Sequence, residues 1–471
     1  MNVQTGIDPP AGPAALPGAC YGRRMQSRPG WARTGLLVAA AFVGGAVASR
    51  FASASTERAS PYAPLDQLAR VLALVENQYV DPTQRERVTE GAIKGMVAEL
   101  DPHSAYMNPA DYALFQSETE GKFAGIGIEV DVRGDVVTVI APFEGSPAAR
   151  AGIRPGDQIV AIDGRPVRGE RLEKLVTLMR GPTGSSVRVT VRRTGAADAI
   201  TYPLVREEIH IASVVGKRLA GDVAYVRLKQ FQEGTHDELL RITEKIRSES
   251  KAKLTGVVLD LRNNPGGLVD EAEAVADEFL ASGVIYTTRH RGQVVDEIRA
   301  HDGGAFASLP VTALVSEYSA SSAELVAGAL QDSRRALIVG AQTFGKGSVQ
   351  TIYDLPNGAG IRLTTMRYYT PNGRSIQAEG IRPDVLIQPA QPSAPGDIVR
   401  ERDLEGHLTA EQGGGANGGG APRAEVFVDT TRKPGELVDL TREVAVDPTK
   451  GADFTLSVGY QALLKRIGAA R

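Results

Sequence analysis

Residues 256 to 261 read GVVLDL, an apolar run with no polar alternation. An Asn-Asn-Pro-Gly-Gly turn (263–267) and a helical pattern over Asp270–Ala281 follow at once. A run of this kind fits a strand buried on both faces, which needs a layer of structure above and below it. The arrangement recurs. A strand at Val311–Val315 leads straight into a helix at Ala323–Leu330, with further strands at Val223–Leu228, Ala336–Val339, Val349–Leu355 and Ile361–Tyr369. Strands alternating with helices across residues 211–390 define an α/β core.

The rest of the chain divides around that core. Residues 60–118 carry helical periodicity, and residues 121–206 are β-rich with regular turns. Residues 391–423 are Pro- and Gly-rich, ending in GGGANGGG, and read as a flexible linker; residues 424–471 hold one more helix, at Phe454–Ile467. Residues 1–54 form an N-terminal extension with a secretory signal: Arg23, Arg24, Arg28 and Arg33 precede the apolar stretch 35–48, and Ala52-Ser53-Ala54 follows. Met25 is the start that gives this signal its ordinary length. The expected location is exported or periplasmic, with contact to the membrane only through this segment if it stays uncleaved. The balance of 53 basic and 56 acidic residues gives no basic surface for nucleic acid. Cys20 is the sole cysteine and lies ahead of the apolar stretch, which excludes a disulfide framework and a thiol nucleophile downstream.

The chemistry concentrates where buried strands end. Ser321 and Glu324 have capping-box spacing at the start of a helix. One reading is a plain helix cap. The other uses the same geometry for a nucleophile, with the Ser322 amide pointing where an oxyanion would develop. A serine needs a base. None of His103, His210, His236, His290, His301 and His407 lies within the Ser321 segment or the Gly-rich loop of Lys346, 25 residues after Ser321, although along-chain position leaves approach in space open. Bringing a lysine from its usual pKa of about 10.4 to near 7 requires about 4 to 5 kcal/mol of preference for the neutral form, which burial can supply. If a strand starts at Lys346, Gln350 shares its face and is a candidate to orient it, or else an ordinary strand glutamine. Gly267, with Gly266 behind it, is the candidate second oxyanion donor, or merely a tight turn. No His/Cys/carboxylate cluster has zinc-ligand spacing, and no cofactor is implied.

Phe123–Ile128 (FAGIGI), the stretch SPAARAGIRPGDQIVAIDG (146–164) and the helix Leu172–Met179 together resemble a PDZ domain. The resemblance implies that the loop of Gly125, Ile126, Gly127 and Ile128 binds a peptide carboxylate with its amides. The peptide would add as a strand beside residues 126–132. Phe123, Ile126, Ile128, Leu175 and Met179 are candidates to line an apolar pocket for its last side chain, or to be plain core.

Residues 62–390 as a whole resemble the C-terminal processing peptidases, through EGAIKGMVAELDPHSAYMNPADY (90–112), GKFAGIGIEV (121–130), DLRNNPGGLVDEA (260–272), SASSAELVAGALQD (319–332), GKGSVQ (345–350) and GIRPDV (380–385). The resemblance implies a PDZ domain set before an α/β-spiral core of crotonase/Clp-like type, flanked by helices. It implies Ser321 as nucleophile, Lys346 as general base, Gln350 as its partner, oxyanion donors from Gly267 and Ser322, and an acyl-enzyme. Protein substrates held by their C-termini follow, with an adaptor and self-association through residues 62–118 and 424–471 as candidate partnerships. The family reads Ser-Ala-Ser-Ala-Ser-Glu where this chain has Ser-Ala-Ser-Ser-Ala-Glu, which leaves Ser319 and Ser322 as competing hydroxyls. Two rival readings stand beside this one. One is a nucleotide-binding loop at Gly340–Lys346, which lacks the Ser or Thr that should follow its lysine; the other is a PDZ scaffold without catalysis.

Overall fold

The computed structural model describes residues 62–469 apart from 134–135, 144, 171, 250–252, 392, 395, 411–423 and 441–442. The expected signal segment and the run GGGANGGG lie outside the described residues. The chain forms two compact units, residues 1–85 and 86–471. In the first, the helix Ala63–Gln78 keeps Leu65, Leu68, Val71 and Leu74 exposed.

The second unit is built on a seven-stranded sheet in the order Val214–Leu219, Val223–Leu228, Gly256–Asp260, Val311–Val315, Ala336–Gly340, Val385–Pro389 and Glu425–Asp429. The first pair is antiparallel and every later pair is parallel. Each residue of Gly256–Asp260 and Val311–Val315 is buried, the polar Asp260 and Thr312 included, as their mostly apolar character predicts. On one face, Leu239, Val275, Ala276, Val326 and Leu330 from the helices Thr235–Glu249, Val269–Asp277 and Ser322–Asp332 join the core. On the other, the helix Phe454–Ala469 presses Leu456, Tyr460 and Leu463 onto Val258, Leu314 and Val339. Burying each of those three side chains is worth about 1.5 to 3 kcal/mol. Residues 424–469 are therefore part of the core, supplying its edge strand and the cover of its second face.

A five-stranded sheet packs beside it: Gly360–Tyr369 pairs with Ala105–Met107, Val284–His290 and Ser348–Asp354, and Gln293–Arg299 closes the far edge. Ala105–Met107 interrupts the stretch 60–118 expected to be helical. It separates the helix Arg85–Ala98 from the helix Pro109–Thr119, which Asn108 caps through the amides of Ala110 and Asp111. The β-rich module has a six-stranded sheet whose edge is Ile128–Arg133, with the helix Leu172–Met179 packed on it. The linker reading also needs correction. Residues 396–410 are described, and Glu401 among them is fully buried in the short 3-10 helix Glu401–Asp403.

Candidate active site

Parallel strands bring their C-terminal ends to one edge of a sheet, and the chemistry gathers there. After Gly256–Asp260 the chain turns at Arg262. This fully buried arginine bonds Asp260 at 2.6 Å and Asp453 at 2.8 Å. The Asn264 carboxamide then fixes the turn, donating to the Leu228 carbonyl and accepting the Gly266 amide, each at 2.9 Å. Gly267 has φ +140, and a Cβ there would lie 1.9 Å from the Phe231 carbonyl oxygen, so only glycine fits. A Cβ on Gly266 would stand 2.8 Å from the Ser321 Cβ and 3.0 Å from the Ser322 nitrogen. The Gly-Gly turn is thus pressed directly against Ser321. Neither the Gly267 amide nor the Ser322 amide has an acceptor among the described residues.

Ser321 is the N-cap of the helix Ser322–Asp332 and has φ 54 and ψ −119, an uncommon conformation for serine that stores about 1 to 3 kcal/mol. The surroundings hold it there. The Ser321 amide donates to Glu324 Oε2 at 2.8 Å, and its carbonyl accepts the amides of Glu324 and Leu325 at 2.8 and 2.9 Å. The sequence left three hydroxyls in competition, and their bonding separates them. Ser319 Oγ donates to the Leu261 carbonyl and accepts the Ser316 amide; Ser322 Oγ donates to the Gly267 carbonyl. Ser321 Oγ has no hydrogen-bond partner among the described residues and is the least buried of the three, at 8% exposed.

Glu324 does more than cap. It is completely buried, and besides the Ser321 amide it accepts the Thr343 hydroxyl, the Gly345 amide at 2.7 Å and the Lys346 amide at 2.9 Å. The backbones of Ser321 and Lys346 therefore meet on one oxygen, Glu324 Oε2. Burial pushes the Glu324 carboxyl up to about 7, against the four donors that favour its charge. Capping-box spacing announced the contact with Ser321; nothing in the spacing announced the three to the lysine loop.

Lys346 is mostly buried and its amine makes no hydrogen bond or ion pair among the described residues. Burial first, and then the nearby Arg362, push its pKa down to about 8, while Glu401, Asp101 and Glu324 act the other way. The amine and the Ser321 hydroxyl are brought into one neighbourhood but are not hydrogen-bonded to each other. The strand begins at Ser348 rather than Lys346 and shifts register between Val349 and Gln350. Gln350 accordingly donates to Ser348 Oγ at 3.0 Å and Thr364 Oγ1 at 3.3 Å, not to the lysine. The loop after Gly340 runs into this strand. A phosphate-binding loop would open a helix, so the nucleotide reading is set aside.

The β-rich module carries a groove of about 230 Å³ lined by Phe123, Gly125, Ile126, Gly127, Ile128, Phe143, Val176, Met179, Arg180 and Ile211, among others. Leu175 does not line it: it is fully buried in the module's core, and Val176, one helical step round and three residues before Met179, faces the groove instead. The amides of Ile126 and Gly127 have no acceptor among the described residues. Gly127 has φ +71 with a Cβ position 2.4 Å from the Ser146 Cβ. Ile128–Arg133 pairs on one side only, leaving an open edge beside the loop.

An unbonded serine hydroxyl on a strained helix cap, unpaired amides beside it and a buried amine in the adjoining loop are the groups that a hydrolytic centre of the serine-peptidase kind requires. Residues 222–387 match peptidase family S41, residues 138–193 match a PDZ domain, and residues 40–110 match the activating protease CtpB N-terminal domain. The chain is 42% identical over 356 residues to a carboxy-terminal-processing protease of Bartonella bacilliformis, covering 74% of this chain and 82% of that one. It is 35% identical over 328 residues to a probable CtpA-like serine protease of Staphylococcus aureus, covering 69% of this chain and 65% of the relative, just under two thirds of its length. The solved photosystem II D1 C-terminal processing protease is 32% identical, with 68% of this chain and 86% of that one covered and a TM-score of 0.43. The chain belongs to peptidase family S41, among the carboxy-terminal-processing serine proteases that carry a PDZ domain.

Proposed function

We propose that this protein is an exported, periplasmic endopeptidase that grips substrate C-termini with its PDZ groove and cleaves with Ser321 and Lys346. The observation that carries the reading is the meeting of the Ser321 and Lys346 backbones on Glu324 Oε2, with both functional side chains left unbonded. In this reading the peptide carboxylate docks on the amides of Ile126 and Gly127 and the peptide adds to the open edge of Ile128–Arg133. Neutral Lys346 takes the Ser321 proton as Oγ attacks the scissile carbonyl carbon. The oxyanion falls to the amides of Gly267 and Ser322, and the lysine then protonates the leaving amine. Water attacks the resulting ester, with Lys346 again the base. Gln350, seen here on Ser348 and Thr364, would have to change partners to hold the lysine.

The test is cleavage of an unfolded reporter protein by the wild type and by Ser321→Ala, with EDTA throughout. Loss of cutting in the variant supports the serine mechanism. Equal cutting by both returns the role to another hydroxyl. Peptide binding without turnover in either protein supports a scaffold.

A further inference from the structure

Beyond the strand Val385–Pro389, and beyond the span that matches family S41, the chain returns to the lysine loop. Arg400 Nη1 donates to the carbonyls of Gln342 and Thr343 at 2.8 and 2.6 Å, and the Glu401 amide donates to the Phe344 carbonyl at 3.2 Å. The Glu401 carboxylate, with no exposed surface, takes the Gln377 carboxamide at 2.8 Å and lies against His103 Nε2 at 2.8 and 2.9 Å. Gln377, also fully buried, accepts the Gly347 amide at 2.9 Å and donates to the Leu408 carbonyl at 2.9 Å. The segment thus fastens the loop directly at Gln342–Phe344, before Lys346, and through Gln377 at Gly347, after it.

We propose that residues 400–408 form a clasp on the active site and that Glu401 is a positioning residue for Lys346, setting both the place and the charge of the base. The inference rests on the serine-lysine reading and deepens it. A carboxylate with no exposed surface is costly unless it is paired and hydrogen-bonded, and Glu401 is held by His103 and Gln377. The charged groups facing Lys346 are Arg362, which opposes its ammonium form, and Glu401, Asp101 and Glu324, which favour it. Glu401 itself is paired with His103, and its charge reaches Lys346 without a direct bond. Its charge and its hydrogen bonds therefore act in opposite directions on catalysis. Neutralising it eases deprotonation of the lysine, while loosening the Gln377–Gly347 tie misplaces the amine.

Glu401→Gln keeps the size and removes the charge. In a Ser321→Ala background, with lysine labelled at Cε, the NMR titration of Lys346 should move down by about one pH unit. In the active protein the acidic limb of kcat/KM should move the same way. The plateau kcat should fall about ten- to a hundredfold from the misplaced amine, with KM little changed. An unmoved Lys346 titration overturns the proposal whatever the activity does. Failure of the underlying reading is visible separately: the titration moves, yet Lys346→Ala still cleaves. Should Glu401→Gln not fold, Gln377→Met cuts the tie to Gly347 and leaves the Glu401 charge in place. It should lower kcat without moving the limb, and an unchanged kcat there overturns the proposal equally.

Discussion

Replacing Lys346 with methionine should stabilise the protein it inactivates. The lysine's pKa falls from its ordinary 10.5 to about 8, chiefly because burial disfavours the ammonium. That gap corresponds to about 3 kcal/mol of destabilisation carried by the charged form. Below pH 8 the amine is charged in both the folded and the unfolded chain, and the cost is present in full. Between about 8 and 10.5 the folded protein has released its proton and the unfolded chain has not, so the cost fades as pH rises. A methionine of similar length carries no such cost. In a Ser321→Ala background, which prevents self-cleavage, Lys346→Met should unfold at higher denaturant concentration at pH 6.5, by about 3 kcal/mol. By pH 9.5 about 2 kcal/mol of that advantage should be gone. Chemical unfolding monitored by circular dichroism at the two pH values measures both quantities. A variant equally or less stable at pH 6.5, or an advantage that does not shrink by pH 9.5, refutes the claim that Lys346 is held as a strained base.

Glu324→Gln should lower both melting temperature and kcat. Its NH2 group must oppose one of the donors now accepted from Ser321, Gly345 and Lys346, at a cost of about 1 to 3 kcal/mol read from thermal unfolding. Gly266→Ala should cut kcat by about a hundred- to a thousandfold in the reporter assay and also lower the melting temperature, because φ +99 disfavours alanine and its methyl would crowd Ser321, the Ala320 carbonyl and the Ser322 amide. In the PDZ module, Leu175→Ala should cost about 2 to 5 kcal/mol of stability. Val176→Glu, on the groove, should weaken binding of a peptide C-terminus in a fluorescence titration while leaving the melt unchanged.

How much could be read ahead depended on how local the determinant was. The strands Gly256–Asp260 and Val311–Val315 announced themselves because burial on both faces favours a mostly apolar run without alternation. Ser321 was visible because helix caps leave a short-range signature. The hairpin Val284–His290 with Gln293–Arg299 was missed because its second strand is exposed at nearly every position and shows no alternation. Leu175 was taken for Val176 because a short helix packed on a sheet edge is apolar on adjoining sides, and the sequence does not say which of them meets the groove. Gln350 was placed by assuming that the strand began two residues early and ran without a bulge. Glu401 left no trace, since a polar network between segments 24 and 298 residues apart has no pattern along the chain.

The Arg262–Asp453 pair and the helix Phe454–Ala469 also bear on the order in which function is acquired during synthesis. The PDZ module is contiguous and has its own core, so it can condense as soon as it emerges. The central sheet cannot, because one of its faces stays bare until the helix Phe454–Ala469 is made, and Arg262, directly before the turn that holds Gly266 and Gly267, lacks its second carboxylate until Asp453 arrives. A nascent chain of this protein would therefore complete its PDZ module well before the turn of Gly266 and Gly267 gains its full support.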